Sequence, residues 1–271
     1  MASSKTEINT ILLYGGSISI DFYPNSHAYK LDGKRLTGVT TIGNIVDKSR
    51  PLMIWQGRLI ENHLKWLPIE RRTDKEIEYA LTLSTVFKEK WADIGTVMHQ
   101  MIDYRIKRVE FSIEEEVSVL DPEDQVKAKN GYLAFLKWEA EKKPEWIHNE
   151  KVVYSKKFGY VGTFDAIARI DGKIYLVDFK SASGFYEFSH RLQTSAYAKA
   201  YLEEFPDEVI EGRLILLCIK EDKRDKEGNL VNVAGEMQVY DISSELDQDF
   251  VSFISAKNLH ERNKIFSKYD N

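Results

Sequence analysis

The chain has 271 residues, with 38 Lys+Arg against 43 Asp+Glu and a formal net charge of −5. Hydrophobic residues make up 43% and charged residues 30%, which excludes a disordered chain, a collagen and a disulfide-stapled miniprotein. A single cysteine, Cys218, excludes an intrachain disulfide, a four-cysteine zinc site and a cysteine-ligated iron–sulfur cluster within the chain.

The predicted elements run as follows. Residues 17–23 alternate as a strand, Pro24-Asn25-Ser26 turns, 27–31 is a second strand and Asp32-Gly33 a second turn, so residues 1–40 form a β-hairpin region. Residues 41–145 read as a helical cap. Thr40-Thr41 caps a short helix to Val46, and Pro51 opens a helix reaching Trp66. Residues 74–108 form a long helix broken once near Ala92 to Gly95. Glu114-Glu115-Glu116 falls in a loop. Asp121-Pro122-Glu123 starts a helix with Tyr132, Phe135, Leu136 and Trp138 at helical spacing, closed by Pro144. Residues 146–271 form a β-β-β-α-β core: strands at 147–155, 160–170 and 173–181, a helix at 187–204, strands at 213–220 and 230–240, and a terminal helix at 243–267. Residues 220–228 read as an exposed hairpin loop.

The longest strongly apolar run, residues 214–219, is far short of the roughly 20 residues a membrane crossing needs. The opening MASSKTEINT resembles neither a secretory signal nor an Arg-rich transit peptide, so a cytoplasmic location is expected. Mild net acidity argues against coating nucleic acid with the whole surface, but leaves room for a local basic groove or for acids that hold a metal.

Chemistry concentrates in GTFDAIARIDGKIYLVDFK, residues 162–180. Asp171-Gly172 between two β-rich runs is a two-residue hairpin turn. With Ile170 opposite Lys173, the register sets Ile167 opposite Leu176 and Asp165 opposite Asp178. Facing carboxylates repel and destabilise a sheet unless a cation sits between them. Lys180 projects beside Asp178, because residues two apart share a strand face. Flanking Phe164, Ala166, Val177 and Phe179 mark buried strands; the competing reading is a solvated hairpin face. Two acids and one ammonium suit Mg²⁺ or Mn²⁺, with the lysine placed to orient or deprotonate water or to stabilise phosphorane-like charge.

These residues belong to a longer pattern. Gly95 and His99 on a helix, Gly162 and Asp165 on a strand, Asp178 and Lys180 on the next, and Gln193 and Tyr197 on a helix occur in that order. The pattern G-x-x-x-H, G-x-x-D, D-x-K, Q-x-x-x-Y resembles the PD-(D/E)XK nuclease superfamily, in particular its RecB-like exonuclease branch. That branch includes nuclease domains of recombination enzymes, a mitochondrial genome-maintenance exonuclease and many phage proteins. The resemblance implies an α/β (α+β) fold: a restriction-endonuclease-like mixed central sheet flanked by helices, with the helix-rich segment as an N-terminal cap. It implies that Asp165, Asp178, the Phe179 backbone carbonyl and His99 bind the metal, and that Lys180 positions or activates the attacking water. Gln193 and Tyr197 would contact DNA or brace the metal-bearing strand. Glu150 would stand behind the ligands or at a second metal. The iron–sulfur cluster that some members carry is not expected with Cys218 alone, and no P-loop is present, so a helicase or recombination motor would be a separate partner.

Phosphate contacts are expected from Arg71-Arg72, Arg105 with Lys107-Arg108, Lys142-Lys143 and Lys156-Lys157. The last pair is interleaved with Tyr154, Phe158 and Tyr160, a pattern on which a single strand could stack, or an ordinary basic turn beside core aromatics. The five tryptophans read as cap packing, and His27, His63, His148, His190 and His260 as structural or surface residues. The function expected is a Mg²⁺- or Mn²⁺-dependent deoxyribonuclease. Its expected activity is exonucleolytic, on single-stranded DNA or duplex ends in replication, recombination or repair, in the host cytoplasm if phage-encoded. The alternatives are a structure- or sequence-specific endonuclease and a non-catalytic DNA-binding assembly protein.

Overall fold

The computed structural model describes residues 8–46, 49–181 and 184–266. Strands β1 (Asn9–Leu13), β2 (Ile18–Tyr23), β3 (Ala28–Leu31) and β4 (Lys34–Arg35) form an antiparallel meander in sequence order. Asp32 and Gly33 turn with φ of 49° and 75°, the sign a tight two-residue hairpin requires. β1 is not legible in the sequence, because its residues are mostly exposed and do not alternate. Ile20, Leu13 and Tyr29 pack the meander onto Tyr154 and Val161 of the main sheet.

A short strand, β5 (Thr37–Gly38), leads into helices α1 (Val39–Gly43), α2 (Ser49–Trp66), α3 (Asp74–Lys107), α4 (Ile113–Val117) and α5 (Pro122–Lys142). Gly38, not Thr40, occupies the N-cap of α1, and that helix ends before Val46. α3 is one unbroken helix of 34 residues. A glycine within a helix costs about 1 kcal/mol, which the burial of Ile94, Val97, Met98, Met101 and Ile102 around Gly95 readily offsets. Thr73 caps it by accepting the Glu76 N–H. Glu114-Glu115-Glu116 is helical and not a loop: Ser112 accepts the Glu115 N–H, and acids in a first turn suit the helix dipole.

The core follows as β6 (Glu145–Ser155), β7 (Tyr160–Ile170), β8 (Lys173–Lys180), α6 (Glu187–Glu204), β9 (Gly212–Cys218), β10 (Lys223–Arg224), β11 (Leu230–Asn232), β12 (Met237–Asp241) and α7 (Leu246–Phe266). The strand expected at 230–240 divides into β11 and β12, with Gly235 at φ 76° between them. The exposed hairpin is present as β10 paired with β11. Ser267, the expected end of the last helix, lies outside the described residues.

The main sheet is mixed, with order β12-β9-β8-β7-β5 and β6 also on β7. β8 and β9 are parallel and joined through α6, whereas β6–β7, β7–β8 and β9–β12 are antiparallel. α3 and α5 cover one face against Ala166, Ala168, Val177 and Phe179. α1, α6 and α7 cover the other against Phe164, Ile167 and Leu176. With both faces covered, β9 is buried at every residue, as a doubly packed strand should be.

One consequence of this order positions the site. β6 pairs with β7 at Tyr160 and Val161, and β5 pairs with the same two residues. A strand has two edges, so β5 must share the β7 edge that β8 occupies from Ala166 to Ile170. Residues 162–165 therefore fall in a gap between β5 and β8, where the sheet opens.

Candidate active site

The hairpin register is the one the Asp171-Gly172 turn dictates: Ile170 pairs with Lys173, Ile167 with Leu176 and Ala166 with Val177. One step further, Asp165 and Asp178 come next in line at the mouth of the gap. There the Phe179 N–H donates to Asp165 Oδ2 at 2.7 Å, a side chain taking the place of a strand partner. The Phe179 ring is buried against Phe135 and Trp146 on the α3–α5 face. Strand alternation then turns Asp178 and Lys180 to the opposite face, toward α6.

Lys180 Nζ lies 3.0 Å from Asp178 Oδ1 and 2.8 Å from Oδ2, and donates to Gln193 Oε1 at 3.2 Å. Gln193 Nε2 donates to the Tyr197 hydroxyl at 3.0 Å. From the other face, α3 brings His99 Nδ1 to 3.9 Å from Asp165 Oδ2. Glu150 on β6 is flanked by the pairs Asn149↔Ala166 and Lys151↔Phe164, which sets it opposite Asp165. Its φ is +47°, an uncommon and strained value for a non-glycine residue inside a strand. His99, Glu150 and Asp165 each offer a ligand atom, all within 4.8 Å of one another.

The pattern glycines have a steric cause. A Cβ on Gly95 would meet Ser181 Oγ at 2.7 Å, so glycine lets α3 lie against the end of β8, one turn before His99. A Cβ on Gly162 would meet Tyr197 Cε1 at 2.5 Å, so glycine makes room for the α6 tyrosine behind the site.

Electrostatics set the protonation states. Burial, followed by the Lys180 charge, pulls His99 down to about 4, leaving a neutral imidazole with a lone pair to offer. Burial pushes Asp178 up to about 6 despite Lys180, with Asp165 adding to the rise. Asp165 is raised by burial against the opposing pull of Lys180 and the Phe179 N–H. Glu150 keeps part of its side chain open to solvent, yet the surrounding cleft walls shield the rest from water and push it up to about 8, helped by Asp165 and Asp103. Burial alone would lower Lys180, but Asp178 and Asp165 outweigh it and hold it as an ammonium.

Crowded carboxylates whose ionisation is suppressed, beside one ammonium and a neutral imidazole, are a site short of positive charge. Asp178 Oδ2 is buried and lacks a hydrogen-bond donor, since Lys180 is out of line for one. Hard oxygens plus one imidazole fit a divalent cation of the Mg²⁺ or Mn²⁺ type, and His99, Glu150 and Asp165 are the side chains whose ligand atoms lie close enough together to share one, with Asp178 held on Lys180 beside them.

One residue of the site, Asp103, does not stand out in the sequence; it lies one helical turn beyond His99. Asp103 accepts from Asn149 and pairs with Lys107 at 2.7 Å, and its charge reaches Glu150. The signal for it is the four-residue spacing on the His99 face. Tyr160 is not a DNA contact: it is fully buried and donates its hydroxyl to the Ala196 carbonyl. Lys156 lies over the Tyr14 ring at 3.7 Å and Lys157 over Phe158 at 5.2 Å, in the β6–β7 turn five or more residues along the strand from Asp165. Arg105 pairs with Glu139, and Lys142 with Glu141.

Two cavities extend the cleft. One, of about 540 Å³, runs from Glu150 and Asp165 past Tyr29, Arg35 and Thr40. The other, of about 660 Å³, runs from His99 and Lys180 past Trp91 and Tyr186. Among the described residues no helix is long and apolar enough to cross a membrane.

Compared with known proteins, residues 57–265 match the family model of the PD-(D/E)XK nuclease superfamily. No curated protein matches the chain.

Proposed function

The chain belongs to the PD-(D/E)XK nuclease superfamily, whose members hydrolyse phosphodiester bonds with divalent metal ions, and from that premise we propose a Mg²⁺- or Mn²⁺-dependent exonuclease of the RecB-like branch. Its proposed substrates are single-stranded DNA and duplex ends, in replication, recombination or repair. The observation that carries the catalytic part is the convergence of Asp165, Asp178, Lys180, His99 and Glu150 on one gap in the sheet.

Asp165, Asp178 and His99 are the proposed metal ligands, joined by the Phe179 carbonyl and, on the outer side, by Glu150. When bound, the cation supplies Lewis-acid stabilisation of phosphate charge and lowers the pKa of water. Lys180 is held as an ammonium by Asp178 and Asp165 and is oriented by Gln193, so its proposed part is to orient the attacking water and stabilise charge on the phosphate. Gln193 fixes the Lys180 rotamer, and Tyr197 fixes Gln193, which makes both positioning residues. Neutral His99 donates a lone pair and adds no positive charge.

The exonuclease part rests on the resemblance of the four motifs and on a cleft walled on one side by α3 and on the other by the β3–β5 segment. The test offers linear and closed circular single-stranded DNA with Mg²⁺, with Mn²⁺ and with chelator. Metal-dependent release of short products from the linear form alone is expected. Equal rates on both forms would establish an endonuclease, and binding without turnover in any metal would establish a non-catalytic protein.

A further inference from the structure

The second cavity is lined by Trp91 on α3, Tyr186 at the start of α6, Lys220 on the β9–β10 connection and Lys223 at the start of β10, with His99 and Lys180 at its inner end. Trp91 is 39% exposed and Tyr186 56% exposed, although both are large aromatic residues. Neither ring is loosely held. Trp91 rests against Trp55 at 5.4 Å and Phe87 at 6.0 Å, and Tyr186 sits edge-on to His190 at 6.3 Å. Each keeps a supported ring with surface left over beside the candidate active site.

The charges of this groove are mixed, with more ammoniums than acids. Glu221 and Asp222 also line it, but Glu221 lies 3.8 Å from Lys127 and Asp222 accepts the Ala234 N–H. Among the described residues, Lys220 and Lys223 form no ion pair within 4.0 Å, although the charges of Glu221 and Asp124 reach Lys220. The groove thus presents two ammoniums without a close ion-pair partner and two aromatic faces, which answer the phosphates and the bases of a nucleic acid, while Glu221 and Asp222 keep their charges at its rim. Base faces are hidden in a duplex and open in a single strand, so the aromatic half of the groove selects the latter.

We propose that this groove carries one strand of single-stranded DNA to Lys180, with Trp91 and Tyr186 stacking on bases and Lys220 and Lys223 contacting phosphates. The proposal rests on the nuclease reading above, and it moves the DNA track from the β6–β7 turn, where Tyr160 is buried, to the α3–α6 side.

The experiment measures anisotropy of a fluorescein-labelled oligothymidylate and of a blunt hairpin duplex, in chelator to prevent cleavage, with cleavage assayed separately. Trp91→Ala and Tyr186→Ala should each weaken single-strand binding roughly 5- to 100-fold and leave duplex binding unchanged. Trp91→Phe, which keeps a stacking ring and guards against loss of helix packing, should retain most of the affinity. It should also lose most of the tryptophan quenching that the oligonucleotide causes in wild type. Lys220→Gln with Lys223→Gln should reduce the salt slope by roughly 0.7 for each phosphate no longer neutralised. Unchanged single-strand affinity in folded Trp91→Ala and Tyr186→Ala overturns the groove. Absence of cleavage by wild type in any metal overturns the nuclease reading, and the binding comparison still decides the groove. Cleavage by wild type, with both alanine variants binding as it does, overturns the groove alone.

Discussion

Tyr197 Cε1 lies 2.5 Å from the point where a Gly162 side chain would begin. The glycine of G-x-x-D and the tyrosine of Q-x-x-x-Y are therefore one packing unit, and the tyrosine in turn holds Gln193 against Lys180. Gly162→Ala should push the Tyr197 ring and loosen Lys180. The expected cost is about 1–3 kcal/mol of stability, the scale of overpacking a core, together with a fall in turnover. Tyr197→Ala in the same chain should recover part of the stability, which urea melts of the two single variants and the double variant would measure. Additive losses would show that the two residues are not coupled.

In the metal-free protein Lys180 is an ammonium, because Asp178 and Asp165 outweigh burial and raise it above its ordinary value. Lys180→Ala should lower kcat by roughly 10²-fold or more, the scale of losing one charged group aimed at developing charge. Gln193→Ala should give a smaller fall in kcat with KM little changed, since it removes a support and not the charge. A Gln193→Ala defect confined to KM would make Gln193 a DNA contact instead.

The pH dependence of the metal-free protein has a definite sign above neutrality. Glu150 titrates near 8 in the fold against an ordinary 4.5. The folded chain thus holds this proton more tightly than the unfolded chain, and the stability it contributes is complete below 4.5 and lost as pH rises through 8. His99 has the opposite sign, but its window closes at 6.5, and the Asp178 window closes near 6. Between pH 6.5 and 8 the chelated protein should therefore lose stability with rising pH, and Glu150→Gln should flatten that slope. Thermal melts across that range check the sign, and a rising stability would contradict it.

Much of this site is legible in the sequence, for identifiable reasons. The Asp171-Gly172 turn fixes a register without reference to anything distant, so the meeting of Asp165 and Asp178 follows from local chemistry. Residues 187–204 are readable as a helix by period, which puts Gln193 and Tyr197 one turn apart. What the sequence does not carry is tertiary. The break expected near Gly95 is overridden by packing of Ile94, Met98 and Met101. β1 and β5 exist only through partners elsewhere in the chain. Tyr160, which reads either as a stacking ring or as a core aromatic beside a basic turn, is buried because α6 covers it, and Asp103 matters only because β6 brings Glu150 to it.

Metal binding should be visible as stability, independently of any cleavage assay. The metal-free cleft gathers ligand atoms of His99, Glu150 and Asp165 within 4.8 Å of one another, with Asp178 paired to Lys180 beside them and its Oδ2 buried without an aligned hydrogen bond. The raised pKa values of the three acids report withdrawal from water first, with repulsion from neighbouring acids adding at Glu150 and Asp178. A divalent cation relieves that repulsion only in the folded state, because the unfolded chain does not assemble the ligands. Linkage then raises stability by RT ln(1 + [L]/Kd), about 2.7 kcal/mol at roughly 100 Kd. Mn²⁺ or Mg²⁺ should therefore raise Tm in a concentration-dependent way and remove the pH slope assigned to Glu150. Asp178→Asn should abolish cleavage, yet its metal-free form should be as stable as wild type or more so, since it loses a buried charge while keeping the shape. Its Tm should no longer respond to the metal. A wild-type Tm indifferent to both ions, or an Asp178→Asn protein that still responds fully, would place the cation elsewhere and leave Asp178 as a partner of Lys180 alone.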